Sequence, residues 1–98
     1  MNTMEKLFDN VSTIKLIYHE KVMTQQNDFE QLKAIFQSVK FTETNESLAG
    51  IMGSLLLDFT YNDHSVKSIC FTANLLSDGT KTYRLDHDIC LDVRYLFS

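Results

Sequence analysis

"LLLDFTYNDHSVKSICFT", residues 55–72, is the stretch that decides how the chain is read. Leu55, Leu57, Phe59 and Tyr61 alternate with polar or outward positions, and Ile69 and Phe71 resume the alternation after a polar middle. That is the pattern of two strands joined by a turn. A one-residue slip would send an apolar set to the wrong face, so the register is constrained. A three-residue loop, Asn62-Asp63-His64, closed by Tyr61 and Ser65, sets Leu57 opposite Ile69 and Leu55 opposite Phe71. Such loops end on a left-handed residue. Here that residue is His64, one of the non-glycine types enriched at positive φ.

Working toward the C-terminus, "KSICFTANL" (67–75) continues with Ile69, Phe71, Ala73 and Leu75 on one face. A Ser77-Asp78-Gly79 loop with glycine at the left-handed position then pairs Ala73 with Tyr83, Phe71 with Leu85 and Ile69 with His87. A two-residue Asp78-Gly79 turn would instead set Phe71 against Asp86, mixing faces. "YRLDHDICLDVRYLF" (83–97) fits a helix as well as a strand, since Ile89, Val93, Leu96 and Phe97 share a helical face. The strand is favoured because apolar residues fill seven of the eight odd positions from 83 to 97, His87 being the exception.

Working toward the N-terminus, residues 42–53 read as a connection in which Leu48, Ile51 and Met52 make at most one helical turn, kept short by Gly50 and Gly53. Residues 28–39 are the main helix, with Asn27 as N-cap, Glu30 completing a capping box, and a stripe of Phe29, Leu32, Ile35, Phe36 and Val39. Residues 12–23 read as a strand with Ile14, Leu16 and Tyr18 on one side, Thr13, Lys15, Ile17 and His19 on the other, and a bend near Glu20. Residues 3–9 read as a short helix capped by Thr3, with Met4, Leu7, Phe8 and Val11 at helical spacing.

The expected fold is a single α+β domain over residues 1–98. A first strand and a crossing helix precede a three-stranded antiparallel meander. Helix 28–39 should cover the face carrying Leu57, Phe71 and Leu85. The other face should carry the rows Leu56–Cys70–Asp86, Asp58–Ser68–Asp88 and Thr60–Val66–Cys90 and meet solvent or a partner.

Composition narrows the function classes. Apolar residues make up 44% of the chain and charged residues 22%, an ordinary globular balance. A net charge of −4 and scattered Lys and Arg argue against nucleic acid as a partner. There is no long apolar run for a membrane span and no signal-peptide pattern, so the expectation is a cytoplasmic protein, unless a leader has been removed.

The reactive residues do not converge in this register. Cys70 and His87 fall on opposite faces, so they cannot pair as nucleophile and base. Cys70 and Cys90 lie four residues out of register, roughly 14 Å apart, too far for a disulfide. In "DHD" (86–88), His87 points away from Asp86 and Asp88, so the three cannot chelate one ion. No metal-ligand spacing, GxSxG or Walker motif is present, and no cofactor is expected. The expectation is therefore a non-enzymatic protein-interaction module of the inhibitor, immunity or adaptor kind, using the exposed sheet face or an edge strand. Its surface would centre on Asp58, Ser68, Arg84, Asp86 and Asp88. The alternative is a minor enzyme or metal-binding domain using Asp58, Asp86 and Asp88 with Cys70 or Cys90.

Overall fold

The computed structural model describes residues 3–17, 21–48 and 54–97. Among these residues the fold is a small α+β arrangement with one open antiparallel sheet of seven strands and two α-helices. In chain order the strands are β1 (Val11–Leu16), β2 (Val22–Met23), β3 (Phe41–Thr44), β4 (Leu55–Tyr61), β5 (Val66–Phe71), β6 (Leu75–Ser77) and β7 (Thr82–Leu85). The helices are α1 (Gln26–Gln37) and α2 (Cys90–Leu96), and a 3-10 helix spans Thr3–Phe8. The spatial order is β2-β1-β4-β5-β6-β7-β3.

The β4–β5 hairpin has the register expected from its alternation, with Leu57 opposite Ile69 and Leu55 opposite Phe71. Tyr61 N donates to Ser65 O at 2.9 Å, which closes the three-residue loop, and His64 adopts φ +72°.

The next connection differs from the expected one. The segment 67–75 is not one strand, because it folds back through a two-residue turn at Ala73-Asn74. Thr72 N donates to Leu75 O at 2.8 Å, and Leu75 N donates to Thr72 Oγ1 at 3.3 Å. The resulting β6 inserts between β5 and β7, pairing Phe71 with Leu76 and Leu76 with Tyr83. The hairpin into β7 then closes on Gly79-Thr80, with Asp78 N donating to Lys81 O at 3.2 Å. Gly79, at φ +90°, takes the first central position, where glycine is favoured in type II′ turns. Neither Ser77-Asp78-Gly79 nor Asp78-Gly79 is the loop. The apolar faces still match because an even-numbered core residue, Leu76, sits between odd-numbered ones on β5 and β7.

Residues 12–23 are not one strand either: β1 pairs antiparallel with β2, Ile14 opposite Met23, so the chain doubles back. Tyr18, His19 and the bend at Glu20 lie outside the described residues, as do Gly50, Ile51, Met52 and Gly53. Phe41–Thr44, read as part of a connection from Thr42 on, is instead the far edge strand β3, paired with β7.

Helix α1 begins two residues before the expected start and ends two residues before the expected end. Gln25 is its N-cap and makes no side-chain cap bond; Glu30 accepts from Gln26 Nε2 at 3.1 Å instead of closing a capping box with Asn27. The helix docks where its stripe predicts. Phe29, Leu32 and Phe36 are buried, and the Phe36 ring meets Phe71 edge-on at 6.4 Å.

The C-terminal segment is a helix, not the favoured strand. β7 ends at Leu85, and in α2 and its flanks Ile89, Val93 and Phe97 are buried while Leu91 and Tyr95 are 75% and 80% exposed. A strand through 97 would have had to bury Leu91 and Tyr95 with Val93. The 3-10 helix, α1 and α2 thus share one side of the sheet, and one hydrophobic cluster joins them to Ile14, Leu16, Leu57, Phe59, Ile69, Leu76 and Leu85. No helix among the described residues is long and apolar enough to cross a membrane.

Candidate functional site

The face of the sheet opposite the helices is built from the residues that alternate with the core: Lys15 on β1, Leu56, Asp58 and Thr60 on β4, Val66, Ser68 and Cys70 on β5, Leu75 and Ser77 on β6, and Thr82 and Arg84 on β7; Leu75 is buried there. Near its middle Ser68 Oγ donates to Asp58 Oδ1 at 2.7 Å. Lys15 lies opposite Asp58 on the neighbouring strand. Arg84 forms an ion pair with the Glu46 carboxylate.

Asp86 and Asp88 are not on this sheet face. Both lie past the end of β7, in the run into α2. With β5 and β6 intervening, β7 is three strand spacings from β4, about 14 Å, so the row Asp58–Ser68–Asp88 does not form. Each of the two carboxylates has a local structural task. Asp86 Oδ1 accepts Lys40 N at 3.1 Å and His87 Nδ1 at 2.8 Å, and the Lys40 N–H above all holds its pKa below the usual carboxylate range. Asp88 Oδ1 accepts Cys90 N at 2.8 Å at the start of α2. His87, expected opposite Ile69 and pointing away from Asp86, is exposed and bound to Asp86.

Both cysteines are free, Cys70 on β5 and Cys90 on α2. The absence of a bridge therefore does not rest on the strand offset argued from the sequence. Burial, reinforced by the neighbouring Asp88, pushes the Cys90 thiol up to about 12, so at neutral pH it stays protonated and unreactive. Among the described residues no three or more His, Cys, Asp or Glu are grouped to hold a metal ion.

A cleft that sequence reasoning missed lies at the rim of the covered side. It has a volume of about 310 Å³ and is lined by Lys6, Leu7, Tyr61, Lys67, Asp78, Thr80, Lys81 and Tyr83. The signal was available. Lys67 has the same parity as Ile69 and Phe71, and Lys81 the same parity as Tyr83 and Leu85, so both lysines continue apolar faces where a lysine is out of place. No family model, curated protein or solved structure matches this chain.

Proposed function

We propose that the protein is a non-enzymatic interaction module that takes a protein partner on the sheet face opposite its helices. The observation that carries this reading is helix packing on one face. The 3-10 helix and both α-helices join one core on one face, and on the opposite face the strands β2, β1 and β5 leave Val22, Lys15, Val66 and Ser68 exposed, whereas Leu75 on β6 is buried. On that face polar residues are interspersed with exposed apolar ones: Val66 is 58% and Val22 39% exposed. Surfaces of mixed polarity suit protein partners, whereas small-molecule chemistry needs a concavity with convergent polar groups. The dispersal of Asp58, Asp86 and Asp88 and the protonated state of Cys90 speak against the enzyme alternative.

The test is differential capture from the native host, comparing the wild-type chain with a Val66→Asp, Ser68→Arg double variant of unchanged thermal stability. A protein retained by the wild type and lost by the variant supports the reading. Equal retention by both would remove this face and leave the β3 edge as the surface to examine.

A further inference from the structure

The covered side carries a second feature, independent of the partner face. Three of the chain's seven lysines, Lys6, Lys67 and Lys81, converge on the 310 Å³ cleft, although the protein as a whole carries a charge of −4. They reach it from three separate elements: the 3-10 helix, β5 and the loop before β7. Three carboxylates lie nearby, one of them Asp9, which is second to burial in raising the Tyr61 pKa. Lys81 pairs with Glu43 at 3.2 Å, and Lys67 feels the Asp78 carboxylate. Asp78 is itself engaged by the backbone N–H groups of Thr80 and Lys81, at 2.9 and 2.8 Å. Lys6 has no ion-pair partner among the described residues. The floor is apolar and fixed: Leu7 is buried, Tyr83 is nearly so, and the Tyr61 hydroxyl donates to Leu7 O at 2.8 Å, which locks that ring in place.

We propose that this cleft binds a small phosphate monoester carrying a flat aromatic group. Lysine ammonium groups serve phosphate as mobile point charges. Lys6 and Lys67 form no ion pair among the described residues, so both ammonium groups can turn to a phosphate. The two tyrosine rings and Leu7 offer an apolar wall to a ring. The volume is at the small end of ligand pockets, which fits one small molecule and not a peptide.

The probes are phenyl phosphate, inorganic phosphate and phenol, titrated into the isotopically labelled chain and followed by amide chemical shifts. Phenyl phosphate is expected to give saturable shifts at Lys6, Lys67, Thr80 and Lys81 below about 20 mM, and to bind about fivefold tighter than inorganic phosphate. Phenol should bind more weakly than either. Lys67→Gln and Lys6→Gln should each weaken phenyl phosphate by about fivefold, while Lys15→Gln, on the other face, should leave it unchanged. The two cleft variants come from different elements, so one reports if the other fails to fold. Absence of saturation, equal affinity for phosphate and phenyl phosphate, or an equal loss in Lys15→Gln would each overturn the proposal.

Discussion

Phe36 is where the N-terminal turn, the main helix and the sheet meet. Its ring is 1% exposed and packs edge-on against Phe8, Phe41 and Phe71, with centroids at 5.8, 6.3 and 6.4 Å. Truncation would open a cavity bounded by three other rings that cannot close together, so Phe36→Ala should cost about 3–5 kcal/mol in urea unfolding. An unchanged midpoint would show that α1 does not dock on this face. Cys90 supplies a chemical test at the same scale. In Cys70→Ser, the remaining thiol should react with an aromatic disulfide reagent at pH 8 at least about tenfold more slowly in the native chain than in urea, because burial and Asp88 keep it protonated. Asp78 supplies a test against pH. Partial burial pushes its carboxyl up, but the backbone N–H groups of Lys81 and Thr80 outweigh this, and the net pKa lies below the ordinary value. A depressed carboxylate stabilises the fold above its unfolded pKa and loses that contribution as pH falls through the folded one. Asp78→Ala should therefore cost about 1 kcal/mol at pH 7, kept small by solvent exposure, and the gap to wild type should shrink as pH falls below the ordinary carboxylate range. A gap that does not narrow would place the effect elsewhere than in the charged carboxylate.

At the scale of elements, α2 is the decisive case. If residues 90–96 form a helix, Val93 faces the core and Leu91 faces water, whereas in a strand the two would share a face. Val93→Ala should then destabilise by about 2 kcal/mol and Leu91→Ser by no more than about 0.5 kcal/mol. Equal losses in urea unfolding would restore the strand. This segment also marks what was legible in the sequence. Alternation over seven odd positions looked decisive, yet those residues also include Ile89, Val93 and Phe97, which lie on one side of a helix. A chain that buries one helical stripe and exposes Leu91 and Tyr95 cannot be told from a strand by polarity alone. The β4–β5 hairpin was legible because both strands carry long alternation and its loop has a residue suited to positive φ. The turn at Ala73-Asn74 was not, because neither residue needs positive φ and no glycine marks it. β3 was hidden for a related reason: a four-residue edge strand with two exposed members, Thr42 and Glu43, has too little pattern to stand out from a loop. Of the candidate surface, Asp58 and Ser68 were placed correctly because they sit inside the legible hairpin. Asp86 and Asp88 were misplaced because they lie beyond the inserted β6 and the true end of β7.

At the scale of the whole molecule, what matters is that one core is assembled from distant parts of the chain. β1 pairs with β4, for example Leu16 with Leu57, and β3 pairs with β7, Phe41 with Leu85, so each pairing closes a loop of about forty residues. Helices α1 and α2 then pack against that sheet through Phe36, Ile89, Val93 and Phe97 in the same cluster. Among the described residues the helices bury their apolar side chains in the same cluster as the sheet, so neither retains that core when the other is lost. Unfolding should therefore be cooperative, with far-ultraviolet circular dichroism and tyrosine fluorescence tracing one coincident urea transition. Phe36→Ala and Val93→Ala should move both probes together. Because the long pairings must form before they are rewarded, refolding should take milliseconds to seconds rather than microseconds. Probes that separate along the urea axis would show that the helical layer and the sheet are independently stable, and would break the link between helix packing on one face and the exposed residues of the other, on which the proposed function depends.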